Sequence, residues 1–261
     1  MEIIFLIFIV IIVIIAINVF KSKIENYDVK AEIRRTRLPI PSREPVEITE
    51  LLKLEKSEQT IGKYLILDVE TTGLPRDKKA PVDDFDNWPR IVQVAWILTD
   101  EKGKEINSDA NYIKQHTRIP PNAVKIHGIT NEICDAEGMG IQEVFDKLIA
   151  DIKNTKYVVA HNIDFDIPIL ECEFLRAGYK RQFTRKRKIC TMKKGTAFCE
   201  LPRNYGYGYK YPTLMELFKE LYYPYATSIS SAQAHNSIFD VLVTCKCFFD
   251  MMDREIITFN E

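Results

Sequence analysis

The hydrophobic pattern opens with Ile3 to Phe20, 18 residues without a charged side chain and with Asn18 as the only strongly polar one. As a helix this stretch would span about 27 Å at ~1.5 Å per residue, close to the hydrocarbon thickness of a bilayer. Backbone groups in lipid must be satisfied internally, which makes a helix the natural form. A cleaved signal peptide would need a positive n-region and a small-residue cleavage site, whereas here only Met1-Glu2 precedes the run and no A-x-A precedes Lys21. A buried soluble helix would show a polar face. The pattern therefore predicts an uncleaved single transmembrane helix over residues 1–22. Pro39, Pro41 and Pro45 break regular structure after it, and residues 23–60 read as a juxtamembrane linker with a short amphipathic helix at 48–54.

From Lys63 the pattern changes to alternating strand and helix signals. Tyr64–Val69 and Ile91–Leu98 are apolar, β-rich runs, Ala110–Lys114 extends a third strand, and Tyr157–Ala160 reads as a short buried strand. Ile141–Ile152 has helical spacing, and helical patterns follow at about 164–177, 213–222 and 237–252. Strands first, then strand–helix alternation, predict one α/β domain on a mixed sheet, over residues 61–255.

Charge changes this picture locally rather than globally. The net charge of −1 excludes nothing about a polyanionic partner. Seven basic residues between Lys21 and Arg43 face only Glu25, Asp28 and Glu32, while the other flank of the apolar run offers Glu2 and the terminal amine. The positive-inside rule then places the domain in the cytoplasm. Cys134, Cys172, Cys190, Cys199, Cys245 and Cys247 form no CxxC pair, which argues against a zinc site or disulfide scaffold and for reduced, mostly buried thiols.

Three clusters carry candidate chemistry. Asp68-Val69-Glu70-Thr71-Thr72-Gly73 closes the first strand, and residues two apart on a strand share a face, so Asp68 and Glu70 present two carboxylates side by side. They sit at a strand's C-terminal end, where α/β sheets place ligands; alone, such a pair is as compatible with a surface turn. His161-Asn162-Ile163-Asp164-Phe165-Asp166 follows the Tyr157–Ala160 strand, with Asp164 and Asp166 as rival carboxylates. His235-Asn236-Ser237-Ile238-Phe239-Asp240 opens the last helix. Five residues are about 140° around a helix, so His235 and Asp240 converge only if His235 lies in the preceding loop, with Asn236 or Ser237 as the cap. Grouped carboxylates repel and are driven towards protonation. Divalent cations offset that repulsion, and hard oxygen ligands favour Mg²⁺ or Mn²⁺ over zinc.

The order DVETTG, HNIDFD, HNSIFD resembles the three motifs of the DEDD (DnaQ-type) 3′–5′ exonucleases, and the His five residues before the last Asp resembles the DEDDh branch. The resemblance covers about residues 61–252. It implies an RNase H-like fold with a mixed five-stranded sheet flanked by helices. It also implies two Mg²⁺ (or Mn²⁺) ions, the first held by Asp68, Glu70 and Asp240, the second reached by Asp68 with Asp166 nearby. His235 would be the general base. In the family the second-motif acid follows Phe and lies five residues after the His, which selects Asp166 over Asp164. The resemblance further implies substrate-contacting positions at Val69, Thr71, Thr72, His127, His161, Asn162 and Phe165. His127 belongs to a His-Gly-Ile-Thr segment that in the family lies near the 3′-terminal nucleotide, although a structural turn residue fits it equally.

A basic run points to nucleic acid separately. From Arg176 to Lys210, eleven lysines and arginines are accompanied by one acid, Glu200, and Tyr205, Tyr207, Tyr209 and Tyr211 alternate through its end. Basic groups neutralise phosphates and aromatics stack on unpaired bases, but such a run is also what a solvated loop or edge strand looks like. The expected function is removal of nucleoside 5′-monophosphates from the 3′ end of single-stranded nucleic acid, DNA ahead of RNA. An exoribonuclease is the runner-up. A membrane-tethered nucleic-acid-binding protein with an inactive nuclease domain would show a lost ligand or base, and all five positions are filled. With nine residues after Met252, a proofreading subunit's polymerase-binding tail is not expected.

Overall fold

A computed structural model describes residues 52–222 and 237–259. The expected anchor at 1–22 and most of the expected linker lie outside the described residues. Among the described residues, no helix is long and apolar enough to cross a membrane.

Five strands form one sheet: β1 (Tyr64–Thr71), β2 (Ile91–Thr99), β3 (Glu105–Tyr112), β4 (Tyr157–Ala160) and β5 (Arg187–Cys190), in the order β3-β2-β1-β4-β5. β1 pairs antiparallel with β2, and β2 with β3, whereas β4 runs parallel to both β1 and β5. This is the mixed five-stranded sheet that the motifs imply. The helices are α1 (Pro121–His127), α2 (Asn131–Glu137), α3 (Ile141–Lys153), α4 (Ile163–Arg176), α5 (Thr191–Cys199), α6 (Leu214–Tyr222) and α7 (Ser237–Asp253).

The alternation along β1 explains how the sheet is sandwiched. Leu65, Leu67 and Val69 enter a core shared with Phe145 and Leu148 of α3 and Leu170 and Phe174 of α4. Tyr64 and Ile66 enter a second core with Leu217 and Phe218 of α6 and Val241, Cys245 and Phe248 of α7. A strand buried on both faces reads as an unbroken apolar run, and Tyr-Leu-Ile-Leu does. The six cysteines are free and buried, as expected.

The structure departs from the sequence pattern where elements are short or exposed. β3 begins at Glu105 rather than Ala110, because its first half is a polar edge whose residues are half-buried or exposed. β5 holds two exposed basic residues and two buried apolar ones, too few for a period. α1 and α2 have seven residues each, with one buried residue apiece. Their signals are local instead: Pro121 at the first turn and Gly128 in the left-handed region (φ 75°) bound α1, and the Thr130 hydroxyl caps α2 by accepting from Ile133 N–H. The domain also extends beyond its expected limits of 61 and 255. Leu52 is buried in the α7-side core, Ser57 N–H donates to the Glu105 carbonyl at 2.8 Å, and Ile257 is buried in the same core. Residues 52–58 thus pack on the domain instead of linking to it.

Candidate active site

Two-residue periodicity carries β1 from core to chemistry. Tyr64 and Ile66 lie under α7, so the next positions on that face are Asp68 and Glu70, where α7 begins. α7 starts at Ser237, which places Asp240 in its first turn. One carboxylate oxygen from each of Asp68, Glu70 and Asp240 lies within 4.8 Å of the other two. A β-bulge at Glu70/Thr71 ends the regular pairing with β2 just past these side chains.

Asp166 reaches the same place from the other layer. It lies in the first turn of α4, is 2% exposed, and its Oδ1 accepts from Val69 N–H at 3.3 Å. Asp164, its rival in sequence, is exposed and ion-paired with Lys193 of α5. The chain turns into α4 at Asn162, which adopts the left-handed region at φ 78°, uncommon for a residue other than glycine. The four carboxylates oppose one another. Burial, and then the Asp240 charge, raise the Asp68 carboxyl well above the usual range. Burial, with Asp68 and Asp240, pushes Glu70 up to about 9. Burial, with Asp68, raises Asp166 against the opposing pull of the Val69 N–H. Among the described residues no lysine or arginine pairs with Asp68, Glu70 or Asp166. A compact set of hard oxygens that repel one another fits a divalent cation.

The remaining expected site residues divide by what their atoms do. Val69 buries its side chain in the core and serves the site through its N–H. Thr71 Oγ1 donates to the Gly73 carbonyl at 2.6 Å, and Thr72 Oγ1 accepts from Arg90 N–H at 3.0 Å, so both hydroxyls shape the turn after β1. His127 is both a helix-end residue and a neighbour of the site: its Nδ1 accepts from Ile129 N–H at 3.0 Å, leaving the proton on Nε2, which donates to the Thr71 carbonyl at 3.2 Å. Phe165 packs half-buried against the α4-side core. His161 engages both ring nitrogens inside the protein, Nδ1 with Thr191 Oγ1 at 3.0 Å and Nε2 with the Pro212 carbonyl at 3.1 Å. Burial lowers its pKa to about 4, so the ring is neutral, donating from Nε2 and accepting at Nδ1. Neither Thr191 nor Pro212 carries a signal in sequence, since their role exists only once β4, α5 and the following loop meet. His235 and Asn236 lie outside the described residues.

The basic run is not a uniform phosphate-binding strip. Arg176 donates to the Glu173 carboxylate and to the Phe85, Trp88 and Pro89 carbonyls. Lys186 is spent on the Thr155 carbonyl, Arg187 on Tyr157 Oη, and Lys210 on Glu216. Tyr205 and Tyr207, in contrast, are 92% and 100% exposed.

The profile of the exonuclease family RNase_T matches residues 65–248. The 3′-5′ exonuclease DinG of Bacillus subtilis is 27% identical over 195 residues, covering 74% of this chain and 18% of DinG. The DNA polymerase III subunit epsilon of Pasteurella multocida is 27% identical over 112 residues, covering 43% of this chain and 42% of that protein. E. coli Exonuclease I in complex with a dA16 oligonucleotide superposes with a TM-score of 0.57 at 21% identity, over 74% of this chain and 41% of that one. The chain thus spans less than half the length of each of these proteins.

Proposed function

The chain belongs to the RNase_T exonuclease family, and from that premise we propose that it hydrolyses single-stranded nucleic acid, DNA ahead of RNA, from the 3′ end to release nucleoside 5′-monophosphates. The observation that carries the reading is the convergence of Asp240, from a helix distant in sequence, on the Asp68 and Glu70 pair at the C-terminal end of β1. The donor set fits two Mg²⁺ or Mn²⁺ ions: Asp68, Glu70 and Asp240 would hold one, and Asp166 with Asp68 would help to hold the other. When bound, they stabilise the negative charge that develops on the phosphoryl group and the leaving oxygen. The protein's own part is positional. β1 and α7 aim three carboxylates at one point, and Val69 N–H fixes the rotamer of Asp166. His127 holds the Thr71 carbonyl, and with it the turn after β1. His235 takes the proton of the attacking water, the general-base role that the third motif implies for it. The preference for DNA draws on Exonuclease I, whose chain is seen with a dA16 oligonucleotide.

Incubation of the protein with 3′- and 5′-labelled DNA and RNA oligomers tests this reading. The 3′ label leaves first as a mononucleotide in Mg²⁺ or Mn²⁺, and EDTA stops its release. Turnover that persists in EDTA, or shortening from the 5′ end, overturns it; RNA cut faster than DNA transfers the assignment to an exoribonuclease.

The apolar run Ile3–Phe20 and the basic residues that follow support an anchored enzyme with its domain in the cytoplasm. Full-length protein then stays in the membrane pellet through alkaline carbonate washing at its unprocessed mass, and release by carbonate removes the anchor from the proposal.

A further inference from the structure

The proposed chemistry leaves the most exposed aromatic groups of the domain without a task. Residues 201–210 form a narrow loop whose base is tightly built. Pro202 and Tyr209 face each other in an antiparallel bridge, Lys210 N–H donates to the Leu201 carbonyl at 2.9 Å, and Arg203 Nε donates to the Tyr209 carbonyl at 2.8 Å. Tyr209 Oη donates to the Glu200 carboxylate at 3.0 Å, which occupies the single acid of the basic run. Past Asn204 the tip alternates Tyr205 and Tyr207 with Gly206 and Gly208, both glycines in the left-handed region and facing open space. A solvated turn needs the glycines and not the two rings.

The loop is also fixed to the site. The segment from α5 to Pro212 begins and ends on the His161 ring, at Thr191 Oγ1 and at the Pro212 carbonyl. His161 directly follows β4, whose parallel pairing with β1 runs to Ile66 opposite Val159, two residues before Asp68 on one strand and two before His161 on the other. Hence the loop is rooted at the end of the sheet where the neighbouring strand β1 presents Asp68 and Glu70.

We infer that the loop is a stacking platform for the single strand entering the site, with Tyr205 and Tyr207 holding bases upstream of the 3′ end and His161 as the positioning residue that joins it to the catalytic rim. A single strand is the occupant favoured by the chemistry. Every base offers a π-face to a tyrosine ring, and the surrounding segment is basic, which suits a phosphate backbone. The inference rests on the nucleic-acid reading above and names where that substrate lies.

Two measurements on the full-length chain separate the platform from the chemistry. Binding of 2-aminopurine-labelled oligo(dT), read in EDTA, needs no turnover. Wild type and the Tyr205→Phe/Tyr207→Phe pair quench the probe, whereas Tyr205→Ala/Tyr207→Ala binds about tenfold more weakly or worse with little quenching. In Mg²⁺, KM for wild type falls as oligo(dT) lengthens from about 4 to about 16 nucleotides. The alanine pair flattens that dependence at a similar kcat, and the phenylalanine pair restores it. His161→Ala, which frees both ends of the segment, flattens the length dependence in the same way. Equal binding, equal quenching and unchanged length dependence in the alanine pair overturn the platform and leave the tyrosines to a protein partner. Failure of wild type to hydrolyse the p-nitrophenyl ester of thymidine 5′-monophosphate in Mg²⁺ or Mn²⁺ counts against the exonuclease reading alone, because that substrate has no upstream strand and the binding arm still decides the loop.

Discussion

Glu173, in the last turn of α4, and Asp166, in its first, are both almost wholly buried, yet their surroundings differ in kind. Glu173 is gripped by Arg90, through Nε at 2.6 Å, and by Arg176, through Nη1 at 2.6 Å. Arg176 also ties α4 to the backbone around Phe85–Pro89 that leads into β2. Asp166 has the backbone N–H groups of Val69 and of its own residue, and the company of other carboxylates. A buried charge that the chain neutralises itself is a structural joint. Buried carboxyls that repel one another hold their protons until a cation from solution takes the protons' place. One helix thus puts its buried acidic residues to two uses, a joint at Glu173 and a ligand position at Asp166.

The largest effect is expected at the cluster. Asp68→Ala or Asp240→Ala lowers kcat by about 10⁴-fold while the fold persists, because each removes a ligand from the charge that stabilises the transition state. In EDTA the Asp68→Ala protein melts no lower than wild type, since the substitution also removes a source of repulsion. Turnover within tenfold of wild type would dissolve the distinction drawn here. His235→Ala follows, with a kcat loss of roughly 10²–10⁴-fold and little change in oligonucleotide affinity. A loss confined to KM makes it a binding residue.

At the other end of α4 the sign reverses. Glu173→Ala leaves two arginines facing each other without their carboxylate and destabilises the domain by about 2–4 kcal/mol, discounted because Arg90 is partly exposed. The folded fraction keeps its kcat, and denaturant titration beside single-turnover rates checks both halves. An unchanged midpoint would mean the joint contributes nothing.

The pH dependence of the metal-free protein sharpens the same contrast. Burial and mutual repulsion raise Glu70 to about 9, with Asp68 and Asp166 raised for the same reasons. An unfolded carboxyl titrates near pH 4, so between the two values the folded state holds protons that the unfolded chain has lost. Stability is then complete below about pH 4 and declines as pH rises towards about 9. In EDTA the melting temperature falls by about 5 °C or more from pH 5 to pH 9, and Mn²⁺ restores it most at the alkaline end. A melting temperature that rises with pH would place the protons elsewhere. The smallest effect belongs to Asp164→Asn, whose exposed pair with Lys193 contributes under about 1 kcal/mol, so activity and stability stay near wild type. A severe loss there, with Asp166→Asn tolerated, would exchange the two residues' roles.

Some of this was legible in the chain itself. β1, β2, β4, α3, α4, α6 and α7 each place enough apolar residues at one period to be read directly, because packing against two layers leaves a continuous or evenly spaced signal. Asp68 and Glu70 were readable as a pair for the same reason: they continue the β1 period past the point where the core ends. Short elements were not. β5, α1 and α2 are held by pairing, caps and a few buried residues, and they lack the unbroken apolar run that makes even four-residue β4 readable.

What the sequence determined alone is therefore the local and the periodic: which strands are buried, where carboxylates interrupt them, and that Asp240 opens a helix. Tertiary structure decided everything that depends on two distant segments sharing a point. It set Asp166 against Val69 N–H and left Asp164 to Lys193, a choice that helical phase makes and composition does not. It spent Arg176, Lys186, Arg187 and Lys210 on carbonyls, a tyrosine hydroxyl and carboxylates, thinning a basic run that looked uniform in one dimension. It also turned His161 from a motif letter into the tie between α5 and the tyrosine loop. The physical reason is common to all three. Hydrogen bonds and ion pairs act over about 3–4 Å, and the chain brings its partners within that reach only by folding.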